Sequence, residues 1–261
     1  MNPMPTTGAS PTESSGSADP AAEQAAALIR AVEEADSATG LLSASAALAR
    51  HLAACPEPPQ AAILSLVEVL GFNNPGAAVA AVDGLIACGE AAVEPLLANL
   101  DAHNYGARAW AVRALAGIGD VRGLELLEQA LGQDIGPSVR RAAARGLGQL
   151  RCGDLEGPVR AEVRGRALAA LEAASADGEW VVRYAVVVGL ESLALDLAVE
   201  AGAAASGSGA GQAETMAPGA EGGLHSRALE ALRRQDADNE TTPVVRLRAQ
   251  QALRRLEPLR P

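Results

Sequence analysis

The residues best equipped for chemistry are arginines set beside acids and aromatics at helical spacing. Tyr105 and Arg108 stand three residues apart, as do Trp110 and Arg113, which puts each pair on one helix face. Aligning recurring segments of the chain brings Asp83 and Arg145 into register with Arg113. Three neighbouring helices would then present a hydrogen-bond acceptor and two cations in one column. A second column holds Arg108, Arg140, Arg183 and Arg246, with Ala78 in the first copy. Trp180 opens the segment carrying Arg183, and Tyr184 follows it. All 21 basic residues are Arg, so every cation can bind a carboxylate through two parallel hydrogen bonds. Each candidate has a structural alternative. The Arg108/Arg140/Arg183 column can bond acids or helix ends of the adjacent unit. The Asp83/Arg113/Arg145 column can be a salt-bridge ladder, and Trp110 and Tyr184 can fill the core. Asn73, Asn74 and Asn104 read as caps.

Other chemistries find no residues. His51, His103 and His225 are scattered and form no metal-binding constellation, and no His–Glu pairing suggests an iron site. Cys55, Cys88 and Cys152 are far apart, with neither the spacing of a zinc site nor that of a disulfide framework. Cys88 reads as buried in an apolar helix; Cys152, at a helix end, is the better placed for reactivity. No Ser/His/Asp triad, P-loop or dinucleotide fingerprint is present. No residue can be named as catalytic, and no metal is expected.

The elements that would position these residues are helices in a repeat. Copies begin at Asn74, Asn104, Gly136, Glu179 and Thr242 and share Leu85, Leu115, Leu147, Leu190 and Leu253. Between them lie amphipathic second helices at 90–100 and 121–131. Asn74-Pro75, Pro137 and Pro243 mark helix starts, and Gly89 and Gly119 mark ends. A lone helix pair cannot bury its apolar face, but a stack of pairs can. The composition agrees: 49% apolar, 2% aromatic residues suit an Ala/Leu/Val core between close helices. The fold class expected is all-α, a HEAT-like solenoid, with the Arg-bearing helices lining its concave side. The ankyrin and tetratricopeptide signatures are missing.

The expected domains are a disordered tail at 1–22, a repeat array at 23–198, a flexible Gly/Ala-rich insertion at 199–223 and a helix pair at 224–257 that caps the array. Residues 28–70 read as a divergent first repeat. The net charge of −11 argues against nucleic acid, whose binding is driven by phosphate neutralisation. No signal peptide is read at the N-terminus, and no apolar run of the ~20 residues that cross a bilayer is read in the chain. A cytoplasmic location without membrane insertion is expected.

The segments 71–97 (GFNNPGAAVAAVDGLIACGEAAVEPLL), 104–127 (NYGARAWAVRALAGIGDVRGLELL), 138–150 (SVRRAAARGLGQL) and 179–193 (EWVVRYAVVVGLESL) resemble the HEAT-like phycobilin lyases of cyanobacteria. The resemblance is strongest to the F-type, or β, subunit of phycocyanobilin lyase, and NYGARAW and EWVVRYA carry it best. It covers roughly 28–198 and 224–256; the insertion and the long tail depart from it. It implies a lyase subunit, active with an E-type partner chain, that attaches a linear tetrapyrrole such as phycocyanobilin through a thioether to a cysteine of a phycobiliprotein near the phycobilisome. The tetrapyrrole is substrate; no prosthetic group is implied. Its propionates would seek Arg, its pyrrole N–H groups an acceptor such as Asp, and its conjugated plane flat walls. On that footing the bilin-binding candidates are Asp83, Tyr105, Arg108, Trp110, Arg113, Arg140, Arg145, Trp180, Arg183 and Tyr184. A transient bilin carrier at Cys88 is the alternative to a buried thiol there. Two other functions remain open: a non-catalytic adaptor or chaperone for phycobiliproteins in phycobilisome assembly or breakdown, and a scaffold with no pigment link.

Overall fold

The computed structural model describes residues 20–99, 104–207, 220–236 and 240–259. Among these residues there are twelve α-helices and no strand. They are α1 (Pro20–Glu33), α2 (Ala38–Ala53), α3 (Gln60–Val69), α4 (Pro75–Cys88), α5 (Val93–Ala98), α6 (Tyr105–Ile118), α7 (Leu124–Gln133), α8 (Pro137–Leu147), α9 (Gly157–Ala173), α10 (Trp180–Gly207), α11 (Ala220–Asp236) and α12 (Pro243–Leu256). Even-numbered helices pack on one another in order, α2 on α4 through to α10 on α12. Odd-numbered helices form a second layer behind them. This is the two-layer solenoid read from the repeat.

Local chemistry sets each start and stop. The Asn74 carboxamide accepts from the Ala77 N–H at 3.1 Å and donates to the Ala38 carbonyl at 2.8 Å, so one side chain caps α4 and ties it to α2. Asn104 caps α6 in the same way through the Ala107 N–H at 2.9 Å. Gly119 ends α6 at φ +71°, a conformation that a Cβ disfavours.

The core lies between the layers. The shared leucines Leu85, Leu115, Leu147 and Leu190 are all buried, each contributing about 1.5–3 kcal/mol of transfer free energy. Next to them, glycines let the even helices approach closely. A Cβ on Gly84 would lie 2.7 Å from Ala49, one on Gly146 2.6 Å from Ala116, and one on Gly189 2.4 Å from the Ala144 carbonyl oxygen.

Several expectations change. Pro75–Ala98 is a stretch of 24 residues apolar enough, by length and composition, to cross a membrane, although no such run was read in the sequence. In the fold, Gly89 (φ +59°) breaks it into α4 and α5, whose apolar faces join the core. Parts of the tail and the insertion are also helical. Helix α1 starts at Pro20, within the tail read as 1–22. The segment read as a 199–223 linker is helix at both ends, because α10 runs on to Gly207 and α11 begins at Ala220. Residues 1–19 and 208–219 lie outside the described residues.

Arg164 of α9 holds the far part of α10. Its side chain is 1% exposed and reaches Asp196 at 2.5 Å and Glu200 at 2.7 Å. Arg160 adds a contact to Glu200 at 3.3 Å. A guanidinium this deeply buried requires such partners. Helices α11 and α12 pack on α10, with Arg248 and Arg255 of α12 pairing with Glu191.

Candidate functional site

The arginines of the even layer divide by register. Arg140 sits seven residues before Leu147, and Arg183 seven before Leu190. Arg140 donates to both Asp177 carboxylate oxygens at 2.7 and 2.9 Å, and to the carbonyls of Asp134 and Ile135. Arg183 repeats the arrangement one unit on. It meets both Glu240 oxygens at 2.7 and 2.9 Å, the Thr242 hydroxyl, and the carbonyls of Asp177 and Gly178. The acids are placed by their own turns: Asp177 accepts from the Glu179 N–H and Glu240 from the Thr242 N–H. The guanidiniums hold both carboxyls below their ordinary range, Glu240 at about 2. Their hydrogen-bonding capacity is committed to the joints between repeats, which removes Arg140 and Arg183 from the ligand-binding candidates. Arg108 occupies the same register on α6 and is half-buried; among the described residues it makes no ion pair.

One residue on, about 100° around the helix, the side chains face outward. The columns six and two residues before the shared leucine lie four apart and so share a face. They hold Val79 and Asp83 on α4, Ala109 and Arg113 on α6, Arg141 and Arg145 on α8, and Tyr184 and Val188 on α10. Between α8 and α10 this face forms a pocket of about 320 Å³, lined mainly by Arg141, Arg145, Trp180, Tyr184, Val188 and Val244. A second recess of about 210 Å³, between α6 and α8, shares Arg141 and Arg145 and adds Arg113, Ser138 and Gln149. The two meet across α8. The Arg113 guanidinium lies 4.7 Å from the centroid of the half-buried Trp110 ring, a cation–π contact of about 0.5–1 kcal/mol at such a site.

Arg113, Arg141 and Arg145 have no carboxylate partner among the described residues, whereas Arg122, Arg140, Arg164, Arg166, Arg183, Arg227 and Arg248 all do. In an acidic protein, three cations without a carboxylate partner among the described residues, beside two aromatic rings, have the chemistry that a flat, carboxylated ligand requires. A larger cavity of about 630 Å³ lies on the joint side of the layer. Its principal charges are already neutralised, Arg140 by Asp177 and Glu128 by Arg166.

The structure thus gathers Arg113, Arg145, Trp180 and Tyr184 on one face, with Trp110 under Arg113. Asp83 shares the column but stands exposed on α4, lines neither recess and forms no ion pair among the described residues. The salt-bridge ladder it might have made with Arg113 is not there. Tyr105 is exposed at the start of α6 and lines neither recess. Arg141 was missed in the sequence; its position four residues before Arg145 was the available signal. Cys152 is buried and Cys88 half-buried, and burial pushes both thiols up, so neither is activated by its surroundings. His103 lies outside the described residues. No cluster of metal-binding side chains occurs among those that are described.

Comparison with known proteins agrees with this architecture. The family model for HEAT repeats matches residues 62–148 and 93–191. The chain is 54% identical over 167 residues to the phycocyanin alpha phycocyanobilin lyase CpcF of Synechocystis sp., covering 64% of this chain and 75% of that one. It is 55% identical over 172 residues to the phycocyanobilin lyase subunit beta of Pseudanabaena tenuis, covering 66% of this chain and 59% of the relative. Among solved structures, a chain of the CpcE–CpcF phycocyanin lyase complex from Nostoc sp. superposes with a TM-score of 0.58 at 38% identity, over 74% of this chain and 99% of that one. A designed armadillo repeat protein at 20% identity and a TM-score of 0.51 shares the fold alone. With arginine-rich HEAT repeats, identities above one half and most of the Synechocystis relative's length spanned, the chain belongs to the family of CpcF-type phycocyanobilin lyase β subunits.

Proposed function

We propose that this chain is the F-type subunit of a bilin lyase, and that it holds a linear tetrapyrrole on the outward face of α6, α8 and α10 while an E-type partner completes the enzyme. The observation that carries the reading is the set of unpaired arginines Arg113, Arg141 and Arg145 beside Trp180 and Tyr184. A bilin has two propionates on an extended conjugated plane. Arg141 and Arg145, one turn apart, match the carboxylates, and Arg113 offers a further cation from the next helix. Trp180, Tyr184, Val188 and Val244 supply walls for the rings.

The reaction asks little acid–base work of this chain. The acceptor cysteine's sulfur bonds to the ethylidene carbon, the thiol proton ends on the adjoining carbon, and nothing leaves. The enzyme's main contribution is to hold one geometry of the chromophore at the thiol, a large effect when an encounter becomes effectively unimolecular. Asp83 lies away from the pocket and is given no contact to the pyrrole N–H groups. The acceptor protein is a phycobiliprotein subunit, the bilin is substrate, no prosthetic group takes part, and the work is done in the cytoplasm beside the phycobilisome.

Co-expression with an E-type chain, a bilin source and a phycobiliprotein α-subunit tests this. A covalent, fluorescent adduct that survives denaturation is expected, and only when both lyase chains are present. Equal yield without this chain would refute the proposal.

A further inference from the structure

Three contacts fix the register between α2 and α4. Asn74 bonds the Ala38 carbonyl, Gly76 lies against Leu42, and Gly84 lies against Ala49. The offset stays between 34 and 36 residues, so the two helices run parallel and side by side. Continued to the ends of both helices, it sets Cys88, the last residue of α4, beside residues 52–54, just before Cys55. Both residues are half-buried, Cys88 at the edge of the core. The His51 Nε2 lies 3.6 Å from the Cys55 sulfur, one turn back on α2. Cys88 lies on α4, the helix before α6 of the arginine face, and neither thiol lines either recess of that face.

We propose that Cys55 and Cys88 form a redox-active dithiol that a low-molecular-weight disulfide, such as oxidised glutathione, closes into a cross-link between α2 and α4. Cys55 is the entry sulfur, since it has the imidazole beside it to take its proton. Its thiolate attacks the glutathione disulfide, forming a mixed disulfide and releasing one glutathione thiol. Cys88 then displaces the second glutathione. One external disulfide is reduced to two thiols, two protein thiols are oxidised to one disulfide, and their protons pass to the departing thiolates. Burial and the neighbouring Cys55 raise the Cys88 thiol to about 11, which suits it to the second, intramolecular step rather than to first attack. Cys152, buried against the Leu150 carbonyl, is a built-in unreactive control. The inference is independent of the bilin reading.

The test is a thiol count on the full chain after exposure to oxidised glutathione, denatured and alkylated without reductant, then peptide-mapped. Free thiols are expected to fall from three to one, the survivor being Cys152, with a peptide pair joined through Cys55 and Cys88 that dithiothreitol releases. Cys88→Ser is expected to trap glutathione on Cys55, and Cys55→Ser to leave Cys88 unmodified. Three surviving thiols, a stable glutathione adduct in the wild-type chain or a cross-link between two chains would each overturn the proposal. Glutathione on Cys88 in Cys55→Ser at the wild-type rate would overturn the assignment of the entry sulfur.

Discussion

Arg140 and Arg141 are consecutive residues of α8, yet the first donates four hydrogen bonds inside the protein while the second faces an open pocket. The same split runs along the array. The register seven before the shared leucine builds joints, at Arg140 and Arg183; the registers six and two before it carry the proposed ligand face, at Arg113, Arg141, Arg145 and Tyr184. One residue's rotation decides whether a guanidinium meets a carboxylate of the next repeat or a space for someone else's carboxylate. Phase relative to the core leucine sets which way the side chain points, and an acid from the next turn completes the joint at Arg140 and Arg183 but not at Arg108 among the described residues.

The largest expected effect lies on the joint side. Arg183→Ala leaves the Glu240 carboxylate, 5% exposed, without its cation, and losing one partner of a buried pair costs about 3–5 kcal/mol. Chemical denaturation should show that loss, with bilin affinity kept wherever the chain stays folded. On the ligand face the pattern inverts. Arg141→Ala with Arg145→Ala should leave stability within about 0.5 kcal/mol, as for surface changes. Bilin affinity in the two-chain complex should fall by about a hundredfold, the equivalent of roughly 2.7 kcal/mol. Bilin titration followed by visible absorbance measures it.

How much of this could be read in the sequence depends on what each feature rests on. The repeat, the leucine column and the helix starts at Asn74, Asn104 and Pro137 are local signals, and they were legible. That the Arg140 column can bond an acid of the adjacent unit was legible as well; which acid was not, because Asp177 lies 37 residues away and only the stacking of α8 on α10 brings the two together. Residues 199–207 read as a linker because Gly and Ser interrupt the alanines there. Yet alanine is also the best helix former, and Glu200, gripped by Arg160 and Arg164, ties the start of that segment to α9. Arg141 was legible in principle, four residues from Arg145, but the repeat alignment drew attention to the arginine beside it. Cys152 reads as the better placed for reactivity at a helix end; the structure buries it, near Arg164 of α9 and Asp196 of α10, a packing that no local periodicity encodes.

Two smaller effects sharpen the contrast. Glu240 is held at about 2, below its ordinary 4.5, so its pairing stabilises the fold fully above the unfolded value and is lost as pH falls from about 5 toward 2. Wild type should therefore lose more stability over that range than Glu240→Gln, as followed by thermal unfolding at successive pH values. Trp110→Leu removes the ring under Arg113 and should weaken bilin binding by only about two- to fivefold, the equivalent of a cation–π contact of roughly 0.5–1 kcal/mol.

The most direct test sets Arg140→Ala against Arg141→Ala, each assembled with the partner chain, measuring unfolding free energy and bilin dissociation constant on the same preparations. Arg140→Ala is expected to lose about 3 kcal/mol of stability and keep wild-type affinity. Arg141→Ala is expected to keep wild-type stability and lose about tenfold in affinity, close to 1.4 kcal/mol. Two variants alike in both measurements, or the reverse pairing of effects, would contradict the division of the arginines into joint and ligand face.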